Sequence, residues 1–280
     1  MTPRLLSRLL RLARPLRPLL AALLLTIPAA GAGAGTALVP AYGDLPLRGP
    51  QAAPGVVIYS HGRALHAEDS LSPSPAYLRM LAAGGWDAMR FNRPSAEDTL
   101  TASAADLALR VKALKAAGYA HVVLAGQSFG AFVSIMAAAD GPGVDAVIAT
   151  APAAFGSFYD SYDSWQLNAS ELYRHLAQLR GTRVLLAFFH GDDYDPGGRA
   201  TTADSILSAN GVPHLILDQP RGLAGHLAAA GRPFAERYAG CLEEFLADTA
   251  LTGAASCESL QALGATAGLA PTLARGSGGL

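Results

Sequence analysis

The sequence predicts an α/β fold: a mostly parallel central sheet of about six to seven strands, flanked by helices on both faces. Two observations predict it. Short apolar runs rich in β-branched and aromatic residues alternate along the chain with longer stretches of helical period. Those short runs are continuous rather than alternating with polar residues, as strands covered on both faces are. With 280 residues, 51% hydrophobic and 15% charged, the chain can bury one sizeable core.

The strands are expected at Gly55–Ser60, Trp86–Phe91, His121–Ala125, Val144–Thr150, Arg183–Phe189 and His214–Asp218. Helices are expected between and after them, at about Pro75–Ala83, Ala96–Ala117, Phe129–Ala139, Ser170–Leu179, Ala200–Asn210 and Arg232–Asp248. Gly84 and Gly118 sit where C-terminal glycines belong, and Ser95 followed by Asp98 suits a helix start. Repeated strand–helix–strand units imply right-handed crossovers and hence parallel strands. Residues 35–54, rich in Gly, Pro and Ala, read as an extended lead-in with room for one short edge strand. The main domain follows over 55–250, and 251–280 form a C-terminal tail. The irregular segment 151–169 carries Phe155, Phe158, Tyr159, Tyr162 and Trp165, which suits a small cap over a pocket.

The first 34 residues differ in character from the rest. Arg4, Arg8, Arg11, Arg14 and Arg17 precede an apolar run from Leu19 to Ile27, then small residues containing Ala-x-Ala sites. This pattern describes a secretory signal peptide over 1–34. Its apolar run is shorter than the roughly 20 residues a membrane span needs, so no stable membrane insertion is expected after cleavage. The expected location is periplasmic or secreted. Losing those five Arg takes the formal charge from -1 to -6, which argues against nucleic-acid partners, since these require concentrated Lys and Arg. The two cysteines, Cys241 and Cys257, lack the companions a metal site would need. In an oxidising compartment a bond between them would tie the tail to the last helix, worth about 3 kcal/mol in the chain-entropy model.

The chemistry concentrates at Gly126-Gln127-Ser128-Phe129-Gly130, a G-x-S-x-G pattern. It follows the apolar run HVVLA directly and opens directly into FGAFVSIMAAA. A strand-turn-helix of this kind forces the Ser into a strained backbone conformation, and its small neighbours let strand and helix approach. The backbone N–H of Phe129 then lies at a helix N-terminus, where it can stabilise an oxyanion. His226, after Gly225 and beyond a strand's C-terminal end, lies where active sites of parallel sheets collect. An imidazole there can take the Ser proton and return it to a leaving group near neutral pH. His214, at a strand start behind Pro213, suits a structural place better.

On these residues the chain resembles the α/β-hydrolase superfamily, particularly its compact dienelactone-hydrolase-like and small esterase members. The resemblance covers about Gly55 to Leu246. It implies that His61-Gly62 begins the loop supplying a second oxyanion donor, the backbone N–H of Arg63, with His61, Gly62 and Gln127 beside the pocket. Tyr159, Tyr162 and Trp165 would line its outer part. The superfamily places its acid on the loop His190-Gly191-Asp192-Asp193-Tyr194-Asp195-Pro196, where three Asp compete. Asp195, preceding Pro196 at a helix entry, is the expected acid, with Asp193 second. A calcium loop over Asp193, Asp195, Gly198 and Asp204 lacks a ligand at Gly197 and follows a strand. The chain order Ser128, Asp195, His226 is the superfamily's own.

The expected function is therefore an exported serine hydrolase acting on a small-molecule ester or related acyl bond. It is expected to be monomeric and to need neither cofactor nor metal. An acyltransferase or peptidase on the same scaffold, or a binding protein that kept the fold and lost turnover, are the alternatives.

Overall fold

The computed structural model describes residues 35–64, 72–94, 98–157 and 161–266. The expected signal peptide, Ser95, Phe158, Tyr159 and the last 14 residues lie outside these.

Each of the six apolar runs becomes a strand. The elements in chain order are β1 (Ala37–Pro40), β2 (Val56–Ser60), α1 (Ala76–Ala83), β3 (Asp87–Asn92), α2 (Leu100–Ala116), β4 (Val122–Gln127), α3 (Phe129–Asp140) and β5 (Ala146–Thr150). Then come α4 (Tyr162–Leu176), β6 (Arg183–Phe188), α5 (Arg199–Ala209), β7 (His214–Asp218), α6 (Arg232–Ala247), β8 (Ala254–Ala255) and α7 (Cys257–Thr266). The sheet order is β1-β3-β2-β4-β5-β6-β7-β8. Only β1 runs antiparallel, against β3, while the pairs from β3 through β8 are parallel.

Strand periodicity divides the core into two layers. Ile58, Leu124, Val147 and Leu186 point to the side covered by α2, α3, α4 and α5. Their strand neighbours Val57, Val123, Ile148 and Leu185 point to the side covered by α1 and α6. All eight are fully buried, and each such side chain contributes about 1.5–3 kcal/mol of transfer free energy.

The lead-in is anchored by one buried carboxylate. Asp87 accepts the backbone N–H groups of Arg48 (2.6 Å) and Gly49 (2.9 Å) and the hydroxyl of Tyr119 (2.6 Å).

Three segments exceed the sequence expectation. Helix α4 starts at Tyr162, so the latter half of the expected irregular segment 151–169 is helical; the Ser161 hydroxyl caps it by accepting from the Asp163 N–H. Within the expected tail, β8 adds two residues to the sheet edge. Helix α7 follows with Leu260 buried, joined to α6 by a Cys241–Cys257 disulfide. No helix among the described residues is long and apolar enough to cross a membrane.

Candidate active site

The seven parallel strands, β2 to β8, end along one edge of the sheet, and the loops leaving β2, β4, β5, β6 and β7 carry the candidate residues. Backbone strain gathers there. The only non-glycine residues with positive φ among those described are Ser128 (57°), Ala151 (45°) and Gln219 (44°), each following a strand of this set. Left-handed backbone at non-glycine residues costs about 1–3 kcal/mol and persists where its surroundings over-determine it.

Ser128 is held from both sides of its turn. Its N–H donates to Thr150 O at 3.1 Å, and its carbonyl accepts from Ala131 N–H at 3.0 Å as α3 begins. A Cβ on Gly126 would collide with the Gly130 backbone, and one on Gly130 would collide with the Ser60 and His61 carbonyls. Only glycine at both places lets β4, α3 and the end of β2 approach this closely. Phe129 is the first residue of α3, so its N–H is one of the donors a helix leaves without an intrahelical partner. The Ser128 hydroxyl donates to the Ala153 carbonyl at 3.4 Å.

His226 arrives on the loop after β7. Its Nδ1 lies 2.8 Å from Asp192 Oδ1, with the Asp192 side chain fully buried and the imidazole 17% exposed. The carboxylate beside the imidazole is thus that of Asp192, whereas the sequence predicts Asp195 there. The register explains why. His190 and Ala224 form a parallel bridge, and Gly225 N–H donates to His190 O at 2.8 Å. Asp192 and His226 each lie two residues beyond that pair, and each follows a glycine at positive φ, Gly191 (66°) and Gly225 (84°), so both loops bend just before the two side chains meet. Asp193 is exposed. Asp195 folds back and is occupied elsewhere: its Oδ2 pairs with Arg199 Nε at 2.9 Å, and its Oδ1 accepts from Gly197 N–H at 2.8 Å. The buried Arg199 also donates to Pro152 O at 2.7 Å. Asp195 therefore stabilises the joint between this loop and the one after β5.

Two further contacts frame the imidazole. The Tyr194 ring lies against His226 with centroids 4.2 Å apart, and the Tyr194 N–H donates to Asp192 Oδ1 at 2.9 Å. Gln127 Nε2 donates to the His226 carbonyl at 3.2 Å, so the residue before Ser128 grips the backbone of the residue carrying the imidazole. No hydrogen bond joins Ser128 to His226 among the described residues; such bonds commonly tighten only with substrate bound.

Gly62 lies against the Ser128 turn. A Cβ there would sit 2.7 Å from Gln127 Oε1 and 3.5 Å from Ser128 Cβ. The Arg63 side chain is exposed and stacks its guanidinium over the Phe129 ring at 5.4 Å. His61, expected to line the pocket, is instead buried beneath this loop, 2% exposed. Its Nε2 accepts from Arg93 N–H at 3.1 Å and its Nδ1 bonds Gly62 O at 2.7 Å. Burial, reinforced by the Arg93 charge, lowers its pKa to about 4. His214 lies at the opposite, N-terminal end of β7, bonded to Val212 O and Asp204.

Of the expected outer residues, Tyr162 and Trp165 occupy the first turn of α4 with rings 5.3 Å apart, and Tyr162 is 54% exposed. One residue invisible to sequence reasoning organises the approach. The buried Asn168 accepts from Ala154 N–H (2.7 Å) and Phe155 N–H (3.1 Å) and donates to Gly156 O (3.0 Å), fixing the loop that carries Ala153. Among the described residues no group of three His, Cys, Asp or Glu is arranged to hold a metal ion.

The architecture is that of the α/β-hydrolase fold, and solved structures agree. An esterase from Pyrococcus furiosus, Pf2001, superposes with a TM-score of 0.54 at 16% identity, covering 69% of this chain and 81% of the esterase. A puromycin-hydrolyzing peptidase from Mycobacterium tuberculosis gives 0.54 at 15% identity, covering 75% of this chain and 37% of the peptidase. The dipeptidyl peptidase 4 of Porphyromonas gingivalis gives 0.53 at 15% identity, with 75% and 33% covered. The chain thus spans about a third of the length of these peptidases and most of the esterase. No protein-family model matches the sequence, and no curated protein matches it.

Proposed function

We propose that this protein is an exported serine hydrolase that cleaves a carboxylic ester or related acyl bond through an acyl-enzyme. Ser128 is the nucleophile, His226 the general base and Asp192 the orienting acid. The observation carrying this proposal is the strained Ser128 at the β4–α3 turn together with a His226–Asp192 pair on the same sheet edge. With Nδ1–H donated to Asp192, Nε2 is left unprotonated to accept the Ser128 proton. Rotation about the Ser128 Cα–Cβ bond releases the hydroxyl from Ala153 for attack on the acyl carbon. The N–H groups of Phe129 and Arg63 stabilise the resulting oxyanion, and each such donor is typically worth about 10²–10³ in turnover. The imidazolium returns its proton to the leaving alcohol, and water then hydrolyses the acyl-enzyme by the same route reversed.

An esterase comparable in length to this chain and two longer peptidases share the fold. The same site could therefore act on an amide, and that is the second reading. Turnover of p-nitrophenyl esters of increasing acyl length, in parent and Ser128→Ala protein, tests the proposal. Ser128-dependent hydrolysis with a chain-length optimum supports it, and activity unchanged by Ser128→Ala refutes it. A matching p-nitroanilide series separates ester from amide preference. Export is tested by expressing the full chain and sequencing the N-terminus of the released protein, which the proposal places within residues 30–36.

A further inference from the structure

We propose that Arg93 and His61 act as positioning residues that fix the direction of the Arg63 N–H, making the oxyanion site rigid before substrate arrives. This rests on the serine-hydrolase reading above and adds two residues to it.

Arg93 follows the end of β3, and its side chain is fully buried. Its Nε faces both oxygens of Asp98, at 3.0 and 3.1 Å; Asp98 is equally buried and also accepts the Ser103 hydroxyl at 2.6 Å. Charge neutralisation by that partner is what allows a guanidinium to remain at this depth. From this anchored position, Arg93 Nη2 donates to the carbonyl of His61 at 2.5 Å and reaches the carbonyl of Gly62 at 3.4 Å.

The backbone of Arg93 acts in parallel. Its N–H donates to His61 Nε2, so that nitrogen carries no proton and Nδ1 does. The Nδ1–H then donates to the Gly62 carbonyl at 2.7 Å. The low pKa of His61 keeps the ring in this neutral form at ordinary pH.

The consequence follows from peptide planarity. In a trans peptide the carbonyl of one residue and the N–H of the next point in opposite directions, and no cis bond occurs among the described residues. Holding the Gly62 carbonyl toward His61 and Arg93 therefore turns the Arg63 N–H the other way. Gly62 itself lies against Ser128 Cβ and Gln127. The guanidinium further lies 5.7 Å from the Phe129 ring centroid, so the same group braces the residue that supplies the other donor.

The test compares Arg93→Lys, Arg93→Ala and Asp98→Asn with parent and Ser128→Ala. Readouts are kcat and KM on the best p-nitrophenyl ester, affinity for a boronic acid that mimics the tetrahedral state, and rescue of Arg93→Ala by added guanidinium. A merely structural arginine would lower the amount of active protein while leaving kcat per labelled active site unchanged. The expected result, normalised to titrated Ser128, is a fall in kcat of about 10- to 100-fold, below the full loss of an oxyanion donor. KM should stay within about threefold, boronate affinity should weaken in proportion to kcat, and guanidinium should partly restore turnover. Should Arg93→Ala fold poorly, Arg93→Lys and Asp98→Asn carry the same comparison. Parent-level kcat per active site in these variants, with Ser128→Ala inactive, overturns this inference and leaves the serine-hydrolase reading standing. Hydrolysis unaffected by Ser128→Ala overturns both.

Discussion

Replacing Asp192 by Asn should cut turnover far more than the same change at Asp195. Asp192 Oδ1 takes two donors, the Tyr194 N–H and His226 Nδ1, while Oδ2 is buried and has no hydrogen-bond partner. An Asn amide has no good orientation here. If its oxygen stays toward His226, its NH₂ is buried without an acceptor, which costs about 1–3 kcal/mol. If it flips, it opposes the Tyr194 N–H and presents a donor to Nδ1, stabilising the wrong tautomer. Either way the imidazolium formed during attack loses a carboxylate about 4 Å from its charge centre, worth about 4 kcal/mol at an effective dielectric of 20. At about 1.4 kcal/mol per tenfold, kcat should fall roughly 10³-fold. Asp195→Asn instead deprives the buried Arg199 of its ion-pair partner. Removing one partner of a buried pair costs about 3–5 kcal/mol, or at least about 6 °C in melting temperature for a chain of this size. Ester kinetics and thermal melts of the two variants form the assay. Asp192→Asn retaining more than a tenth of parental kcat, with Asp195→Asn losing activity per folded molecule, would refute the assignment.

Two further outcomes concern stability. His61 has a folded pKa near 4 against about 6.5 for an unperturbed imidazole. Its neutral burial therefore stabilises fully above pH 6.5, and that contribution is lost as pH falls from 6.5 toward 4, because only the unfolded chain takes up the proton. The loss amounts to at most roughly 3 kcal/mol; urea midpoints at pH 7, 5.5 and 4.5 should decline, and the decline should flatten in His61→Asn. An equal decline in that variant would contradict the account. The Cys241–Cys257 bond closes a loop of 16 residues, so Cys257→Ser should lower unfolding stability by about 3 kcal/mol in the chain-entropy model. Amide exchange should quicken first in α7, and unchanged exchange there would rule out the bond as its tether.

The six central strands were legible because each is a continuous apolar run, a signal that survives without tertiary context. Helix α4 begins earlier than the sequence predicts, because Tyr162-Asp163-Ser164-Trp165-Gln166-Leu167-Asn168 is poor in strong helix formers. It is held instead by a Ser161 cap and by Asn168 bonding the preceding loop. Strand β8 is two residues long and draws its place from β7 and the disulfide, which leaves no periodic trace. Ser128 was legible because strand, turn and helix are contiguous in sequence. The carboxylate that meets His226 is not legible, since three Asp within four residues offer equal chemistry. Pro196 points to Asp195, whereas the His190–Ala224 bridge between the loops after β6 and β7 brings Asp192 to His226. No sequence signal picks out Asp192, because that bridge lies two residues past β6 but six past β7. Arg93 gives no signal in the sequence, because the His61 and Gly62 carbonyls it holds take their direction only from the folded chain.

The most direct test of the central claim is fluorophosphonate labelling of the folded protein, mapped by peptide mass spectrometry. The account predicts one modification, on Ser128, abolished by His226→Ala and strongly slowed by Asp192→Ala. A folded parent protein that stays unlabelled, or labels at another residue with equal efficiency, would contradict it.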